Sequence, residues 1–187
     1  MRRPLRRALA KLPDDFEVIL IDCPPSLGLL TVNALVAADR ALLTAEAQYF
    51  ALQGVEQAME VVELARDTLN AKLSVLGLLL NRANMRTIHS RGTLRSLCEG
   101  YGEKVFETVI RSSIAYAESA RLSRSILDLR PDLGEDYLAL AGEMLARLAP
   151  LGTANEPPIQ LVFRRAPYDY VTSERPAAAR LSRAAAG

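Results

Sequence analysis

The sequence predicts an α/β fold with a mostly parallel sheet and flanking helices. Short apolar runs alternate with longer segments of helical periodicity, which is the order of βαβ units with right-handed crossovers. Half of the 187 residues are hydrophobic, enough for a substantial core. From residue 150 onward, scattered prolines and arginines replace this alternation. We therefore expect one domain over residues 1–149 and a disordered tail over residues 150–187.

The chain begins with a predicted amphipathic helix and a buried strand. Leu5 and Leu9 share one face of a helix over residues 1–11, opposite four arginines. Residues 16–22 contain the run Val-Ile-Leu-Ile, which is typical of a parallel strand covered on both faces. Asp22 would then lie at the carboxyl end of this strand, where open α/β sheets bind their ligands.

Two prolines end this predicted strand. Pro24 and Pro25 cannot continue a sheet ladder, and Ser26 is a candidate N-cap for an apolar helix over residues 27–38. Residues 41–44 form a second short apolar run. We expect this run to be the second strand of the sheet.

The clearest helix covers residues 50–69. Its apolar stripe has helical spacing and consists of Leu52, Val55, Met59, Val62 and Leu69. Residues 73–80 follow as a third strand, and residues 105–110 alternate as a fourth. Between them we expect a helix over residues 93–99, closed by glycines, with three side chains facing inward: Leu94, Leu97 and Cys98.

The rest of the domain is predicted to be a polar loop and a final helix. Residues 111–125 have only short helical character, and Gly134 opens the last helix. No apolar run is long enough to span a bilayer, and the start lacks the apolar centre of a signal peptide. The two cysteines form no disulfide framework, so a reduced, cytoplasmic setting is the expectation.

The central functional feature is the carboxylate at the end of the first predicted strand. Asp22 before a stiff turn matches the Walker B element of a P-loop nucleotide hydrolase, whose aspartate holds Mg²⁺, usually through water. The phosphate-binding sequence G-x-x-x-x-G-K-[ST] does not occur in these 187 residues. Without phosphates nearby, Asp22 would be an ordinary solvated side chain.

Two segments resemble the ParA/Soj family, deviant-Walker ATPases that partition chromosomes and plasmids. Residues 19–35, Ile-Leu-Ile-Asp-Cys-Pro-Pro-Ser-Leu-Gly-Leu-Leu-Thr-Val-Asn-Ala-Leu, are similar to the family's Walker B strand and switch turn. Residues 49–54, Tyr-Phe-Ala-Leu-Gln-Gly, are similar to its Y-F-A-L-E-G stretch. The resemblance runs from about residue 5 to residue 148. It implies a P-loop NTPase-like fold, here expected to lack the P-loop strand because that strand precedes this part of the family.

The resemblance also implies ATP and Mg²⁺ as ligands. Asp22 would hold the metal through water, and Pro24 would shape the adjoining turn. Asn81, where the family usually has Thr, could recognise the adenine edge because an amide both donates and accepts. A turn role for Asn81 is the open alternative. Binding by this chain alone would require another chain to supply the phosphate-binding loop.

Arginines after the third strand are candidate DNA-binding residues. Twenty of the 23 basic residues are Arg, whose fork suits phosphate, although a compositionally biased genome explains this equally well. The net charge of +1 requires any nucleic-acid binding to be local. Arg86 coincides with a basic position of the family, and the remaining candidates are Arg82, Arg111, Arg121 and Arg124, with Arg91 and Arg95 in the same cluster. The alternative is an ordinary solvated surface.

Two functions remain open at this point. In the first, ATP drives dimerisation of this chain with a second copy of itself or with a full-length ParA homologue. The dimer binds non-specific DNA on the nucleoid, and a ParB-like centromere-binding protein triggers hydrolysis. In the second, the chain is a non-catalytic interaction module or a degraded copy. A membrane-linked ATPase of the MinD type ranks last, and no membrane partner is expected. No catalytic residue is assigned. Exposed strand edges predict poor solubility or partial folding of this polypeptide alone.

Overall fold

The computed structural model describes residues 4–12, 16, 18–24, 26, 28–47 and 51–149. The chain divides into two compact units, residues 1–112 and residues 113–187. The predicted disordered tail, residues 150–187, lies outside the described residues, and the boundary at residue 149 stays a prediction.

The first unit is built on a parallel sheet. Its strands lie in the order β1-β2-β3, and each neighbouring pair is parallel. Their bounds are β1 (Arg40–Glu46), β2 (Ser74–Ala83) and β3 (Val105–Arg111). The α/β class and three of the four predicted strands are therefore confirmed. The short apolar runs become strands here because each has a neighbouring strand to complete its backbone hydrogen bonds.

The first predicted strand is wrong over the residues that the structure describes. Residues 16 and 18–24 contain no strand, and none of them pairs with the sheet. Ile19 is 47% exposed and Leu20 is 76% exposed. A strand requires a partner for its backbone groups and cover for its side chains. The apolar run indicated side chains that favour burial in a strand, but it could not indicate which neighbouring strand would form hydrogen bonds with the backbone.

Among the described residues of this unit, four α-helices accompany the sheet: α1 (Pro4–Leu9), α2 (Leu29–Ala37), α3 (Ala51–Thr68) and α4 (Ile88–Tyr101). Helix α1 contacts α2, whereas α3 and α4 each contact the sheet. The predicted cap Ser26 is wrong, because Gly28 is the N-cap of α2. Ser26 instead accepts a hydrogen bond at its backbone oxygen from Thr31 Oγ1, at 2.7 Å.

The predicted inner faces of α3 and α4 are largely correct. Val55, Met59 and Val62 are buried on α3, whereas Leu52 is exposed. On α4 Leu97 is completely buried, as predicted. Cys98 is exposed, so the prediction that its side chain faces inward is wrong. Cys98 follows Leu97 by one residue, a turn of about 100° around the helix, which carries its side chain off the buried face.

The core of the first unit lies where α3 and α4 pack on the sheet. Leu78, Leu80 and Leu97 are fully buried in one cluster with the inner face of α3. A second cluster contains Leu35, Ala41 and Leu73 and connects α2 to the start of the sheet. Each fully buried Leu contributes about 1.5–3 kcal/mol relative to an exposed one. This packing fixes the direction of all three strands.

One glycine of β2 allows β3 to approach closely. A Cβ on Gly77 would lie 2.6 Å from the Lys104 carbonyl oxygen and would overlap the ring of Phe106. Phe106 is only 1% exposed, so its ring has no room to move away. Only a residue without a side chain fits this point of the sheet.

The described part of the second unit, up to residue 149, has three helices: α5 (Ala115–Arg121), α6 (Ile126–Leu129) and α7 (Pro131–Leu148). The final helix begins at Pro131 and not at Gly134, because proline is favoured in the first helical turn. Gly134 instead lies against α6, where an added Cβ would be 2.9 Å from Leu127 Cα. Tyr116 and Tyr137 pack edge to face with ring centres 5.9 Å apart.

Candidate functional site

Polar residues gather where the three parallel strands end. Because the strands run the same way, their carboxyl ends share one edge of the sheet, which we call the carboxyl rim. Glu46, the last residue of β1, is in register with Asn81 on β2, and Ala83 is in register with Arg111, the last residue of β3. Open α/β sheets bind ligands at this rim.

An ion pair joins the ends of β1 and β2 at the carboxyl rim. Arg82 Nη1 lies 3.1 Å from Glu46 Oε1, and both side chains are substantially exposed. The backbone of Arg82 has a φ of 52°, in the left-handed region that non-glycine residues rarely adopt. Asn81 Oδ1 supports this conformation by accepting a hydrogen bond from the Arg82 backbone N–H at 2.9 Å.

Asn81, the residue predicted to contact adenine, also forms a local hydrogen bond in the turn. Its amide oxygen is already used by the Arg82 backbone, which is the turn role left open by the sequence. An amide oxygen has two lone pairs, so this bond leaves acceptor capacity. Asn81 is half-buried at the carboxyl rim, and a nucleotide role for it stays a prediction.

A hydrogen-bonded turn leads from β2 into α4. Asn84 Oδ1 accepts from the Arg86 backbone N–H at 3.1 Å. Thr87 is the N-cap of α4, and its hydroxyl oxygen accepts from the Ser90 backbone N–H at 3.2 Å. This capping contact between Thr87 and Ser90 fixes the direction of the first turn of α4.

Arginines follow this turn on its solvent side. Arg91 and Arg95 are one helical turn apart and exposed, whereas Ser90 and Leu97 lie on the buried side of α4. Arg86 immediately precedes the helix and is also exposed. We call Arg86, Arg91 and Arg95 the arginine surface.

The charges of the arginine surface are not neutralised by nearby acids. Within the described ranges, no carboxylate lies at ion-pair distance from any of the three. Arg91 Nη1 approaches only the backbone oxygens of Met85 and Arg86, each at 3.4 Å. Guanidinium groups in this state are available to phosphate oxygens.

The other predicted DNA-binding arginines differ in their surroundings. Arg82 is paired with Glu46, and Arg111 is exposed at the end of β3 but interacts with neighbouring groups. Arg121 and Arg124 belong to the second unit, where Arg121 lies 3.9 Å from Glu118 on the same helix. The structure therefore brings Arg82 and the arginine surface together around one turn.

Asp22 and Pro24 lie in an irregular, exposed segment. Next to them, partial burial of the thiol and then the negative charge of Asp22 raise the pKa of Cys23 above its ordinary value, although the residue as a whole is exposed. The prediction that it ends a strand is wrong for the described residues, and its metal role stays a prediction.

The donor set for Mg²⁺ is incomplete in the described part of the chain. There, no three His, Cys, Asp or Glu side chains cluster closely enough to hold a metal ion. Mg²⁺ bound with a nucleotide often uses only one or two carboxylates, the remaining ligands being phosphates and waters. Asp22 fits that chemistry as a single ligand, direct or through water, provided that a nucleotide brings the phosphates.

Two structurally important polar residues were missed by the sequence analysis. Glu46 is an acidic residue at the end of a mostly apolar run, which is the pattern that identified Asp22 and could also have identified Glu46. Asn70 is buried, and its Nδ2 donates to the backbone oxygens of Leu35 at 2.9 Å and Ala38 at 2.7 Å. A lone Asn at the end of an amphipathic helix gives no comparable signal. None of the helices in the described ranges is both long and apolar enough to cross a membrane.

Comparison with known proteins gives consistent matches. Residues 1–75 match the family described as an AAA domain. The chain is 34% identical over 148 residues to the chromosome partitioning protein ParA of Myxococcus xanthus, covering 78% of the chain and 52% of the relative. It is 36% identical over 144 residues to the sporulation initiation inhibitor protein Soj of Bacillus subtilis, covering 76% and 57%. The chain spans about half the length of the curated relatives it matches.

Solved structures agree with the fold. The cell division ATPase MinD of Pyrococcus furiosus superposes with a TM-score of 0.63 and 26% identity, over 79% of this chain and 59% of that chain. Cobyrinic acid a,c-diamide synthase from Mycobacterium smegmatis, with bound ADP and magnesium, gives a TM-score of 0.54 and 38% identity, over 63% and 50%. These likenesses confirm the predicted P-loop NTPase-like class.

Proposed function

Because this chain belongs to the ParA/Soj family of partitioning ATPases, we propose that it acts in DNA segregation by binding DNA without sequence specificity. The observation that supports this most directly is the arginine surface, where three exposed arginines lie just before and along α4 and have no carboxylate partner among the described residues. Such groups bind the phosphate backbone through charge and paired hydrogen bonds, and they carry no sequence information.

The rigidity of this turn favours phosphate binding. Thr87 and Asn84 hold the backbone on either side of Arg86, so the arginine side chains project from a fixed base. Less ordering of the backbone is then required when DNA binds. The overall charge of +1 supplies no general attraction to DNA, so binding requires a local basic surface such as this one.

The nucleotide part of the proposal concerns the carboxyl rim and the segment before α2. We propose that ATP with Mg²⁺ binds where Asp22 contributes one metal ligand, with Pro24 in the adjoining turn and Asn81 near the base. A bound nucleotide would supply the phosphate oxygens that complete the magnesium shell. The M. smegmatis relative with bound ADP and magnesium supports this ligand class. The cycle would involve dimerisation and a ParB-like centromere-binding partner.

DNA binding is tested by fluorescence anisotropy with two unrelated duplexes over a series of salt concentrations. We expect equal affinities for the two sequences and a steep loss of affinity with salt, because each phosphate contact releases counterions. Arg86→Ala and Arg95→Ala should each weaken binding to both duplexes and reduce the salt slope by about 1.

Arg66→Ala is the matched control for these substitutions. Arg66 is equally cationic and exposed, but it lies in the last turn of α3, beside Asp67 and toward the amino ends of the strands. Its removal should leave the salt slope unchanged. Equal losses in all three variants would contradict a localised surface, and the absence of DNA binding by the wild-type chain would reject the proposal.

ATP binding, measured by calorimetry with and without Mg²⁺, tests the nucleotide proposal. We expect Asp22→Asn to remove the Mg²⁺ dependence and to leave the residual Mg²⁺-free binding unchanged. Sedimentation in the same solutions reports whether the nucleotide promotes a dimer. Magnesium-dependent binding that persists in Asp22→Asn would reject the role of this carboxylate.

A second function is favoured by a different observation. Ile19, Leu20, Leu29 and Leu30 are between 47% and 79% exposed, an unusual concentration of large apolar side chains before and at the start of α2. Such residues mark protein interaction surfaces. The chain would then act as a non-catalytic module that binds a relative. Association that is independent of ATP, lost in Leu20→Ser with Leu29→Ser, and retained in Asp22→Asn would favour this function.

A further inference from the structure

The ion pair between Glu46 and Arg82 lies beside the arginine surface. Arg86 is four positions after Arg82 in the chain, which limits the distance between their Cα atoms to about 14 Å. Arg82 is the penultimate residue of β2 and Arg86 follows that strand, so both lie near its carboxyl end. Arg82 is thus close enough to Arg86 for one DNA strand to contact both, yet a carboxylate already holds its guanidinium.

This ion pair contributes little to stability. The Arg82 side chain is 65% exposed and that of Glu46 is 41% exposed, so water and salt screen their attraction. Arg82 also has the left-handed φ of 52°, which costs free energy for a residue with a Cβ. A strained backbone and a weak exposed pair together indicate an arrangement kept for a function and not for folding.

The contact is also easily exchanged. Glu46 and Arg82 share a single contact at 3.1 Å, between one guanidinium nitrogen and one carboxylate oxygen. A phosphate can engage a guanidinium through two parallel hydrogen bonds. A DNA phosphate can therefore replace the carboxylate through rotation of the exposed Arg82 side chain, while Asn81 continues to hold the Arg82 backbone.

We propose that Glu46 is a competitive gate on Arg82: its carboxylate occupies the guanidinium that would otherwise contact a DNA phosphate, and so limits the affinity of the arginine surface for DNA. This inference rests on the DNA-binding function proposed above. It assigns opposite effects to two neighbouring residues, since Arg82 promotes binding and Glu46 restrains it.

The test is a double-mutant cycle on the full chain, with Glu46→Gln, Arg82→Gln and the double variant, each titrated with duplex DNA over a salt series. Glu46→Gln should bind DNA up to about fivefold more tightly, the most that one exposed pair restrains, with a salt slope steeper by about 1. In the Arg82→Gln background, Glu46→Gln should lose most of this gain. All sites are exposed, and unchanged thermal unfolding midpoints verify folding.

Glu60→Gln is the matched control for removing one negative charge. Glu60 is exposed on α3, so its neutralisation reports only the general charge effect, which should be small. An ATP titration of the same variants identifies the phosphate source. Tighter ATP binding without tighter DNA binding in Glu46→Gln would overturn a gate on DNA.

The outcomes separate the gate from the underlying function. If DNA binding depends on Arg86 and Arg95 but Glu46→Gln changes it no more than Glu60→Gln does, the gate is rejected while the DNA-binding proposal stands. An equal gain in the presence and absence of Arg82 also rejects it. If neither the wild-type chain nor Glu46→Gln binds DNA, both proposals fail.

Discussion

Residues 19–21 and residues 78–80 have nearly the same composition, Ile-Leu-Ile and Leu-Leu-Leu, but different structures. Residues 78–80 lie in the central strand, where each side chain is at most 3% exposed. Residues 19–21 belong to no strand of the described sheet, and Leu20 is 76% exposed. An apolar run thus becomes a buried strand only where a neighbouring strand completes its backbone hydrogen bonds.

The region that identifies the family differs from the region where polar side chains contact each other. The most specific sequence motif surrounds Asp22, in the region with no sheet pairing, whereas the ion pair of Glu46 and Arg82 lies at the carboxyl rim. The family resemblance therefore depends on one region, and the contacts that can be tested by mutation lie in another. The predictions below compare the two regions directly.

The largest expected difference in the free energy of unfolding comes from the same Leu→Ala substitution made in residues 78–80 and in residues 19–21. Leu80→Ala should lower the free energy of unfolding by about 2–5 kcal/mol, because Leu80 is fully buried and its removal leaves a cavity between α3, α4 and the sheet. Leu20→Ala should change it by no more than about 0.5 kcal/mol, as expected for an exposed site. Urea denaturation measures both. A similar loss in the two variants would show that residues 19–21 are packed in solution.

A smaller effect tests how closely the strands approach each other. Gly77→Ala should cost about 1–3 kcal/mol, because the new methyl group would overlap Phe106 and lie 2.6 Å from the Lys104 carbonyl oxygen. Gly54→Ala is the control, since a Cβ there meets no atom within 4 Å. It should stabilise α3 by about 0.5–1 kcal/mol through helix propensity. Urea midpoints that fall equally in both variants would contradict the close approach of β2 and β3.

Sequence reasoning succeeded where local pattern and tertiary packing agree. The α/β class, three strands, and the inner residues of α3 and α4 followed from periodicity. Val55, Met59 and Leu97 are buried, as the helical spacing of the apolar residues predicted. It failed where the outcome depends on a partner elsewhere in the chain. The run at residues 19–21, the cap at Gly28 and the buried amide of Asn70 each depend on contacts that no local pattern encodes.

The junction between the two regions provides a third comparison. Asn70→Asp should cost about 1–3 kcal/mol, because it removes the amide that donates to Leu35 and Ala38 and places a carboxylate beside their carbonyl oxygens. Asn84→Asp is the matched control. Asn84 uses its side-chain oxygen as an acceptor, which Asp retains, so stability should hardly change. Equal denaturation midpoints for the two variants would show that Asn70 does not anchor the end of α2.

The smallest effect probes the electrostatics around Asp22 itself. Partial burial and the Asp22 charge raise the pKa of the Cys23 thiol, which lowers the reactive thiolate fraction at neutral pH. In a Cys98→Ser background, Asp22→Asn should therefore shift the pH profile of Cys23 alkylation to lower pH and raise the rate at pH 8. The fully thiolate rate at high pH should stay the same, since only the charge has changed. If Mg²⁺ with ATP binds Asp22, its positive charge should shift the wild-type profile in the same direction and leave the Asp22→Asn profile unmoved. A wild-type profile unaffected by Mg²⁺ and ATP, at concentrations where calorimetry detects binding, would place the metal elsewhere.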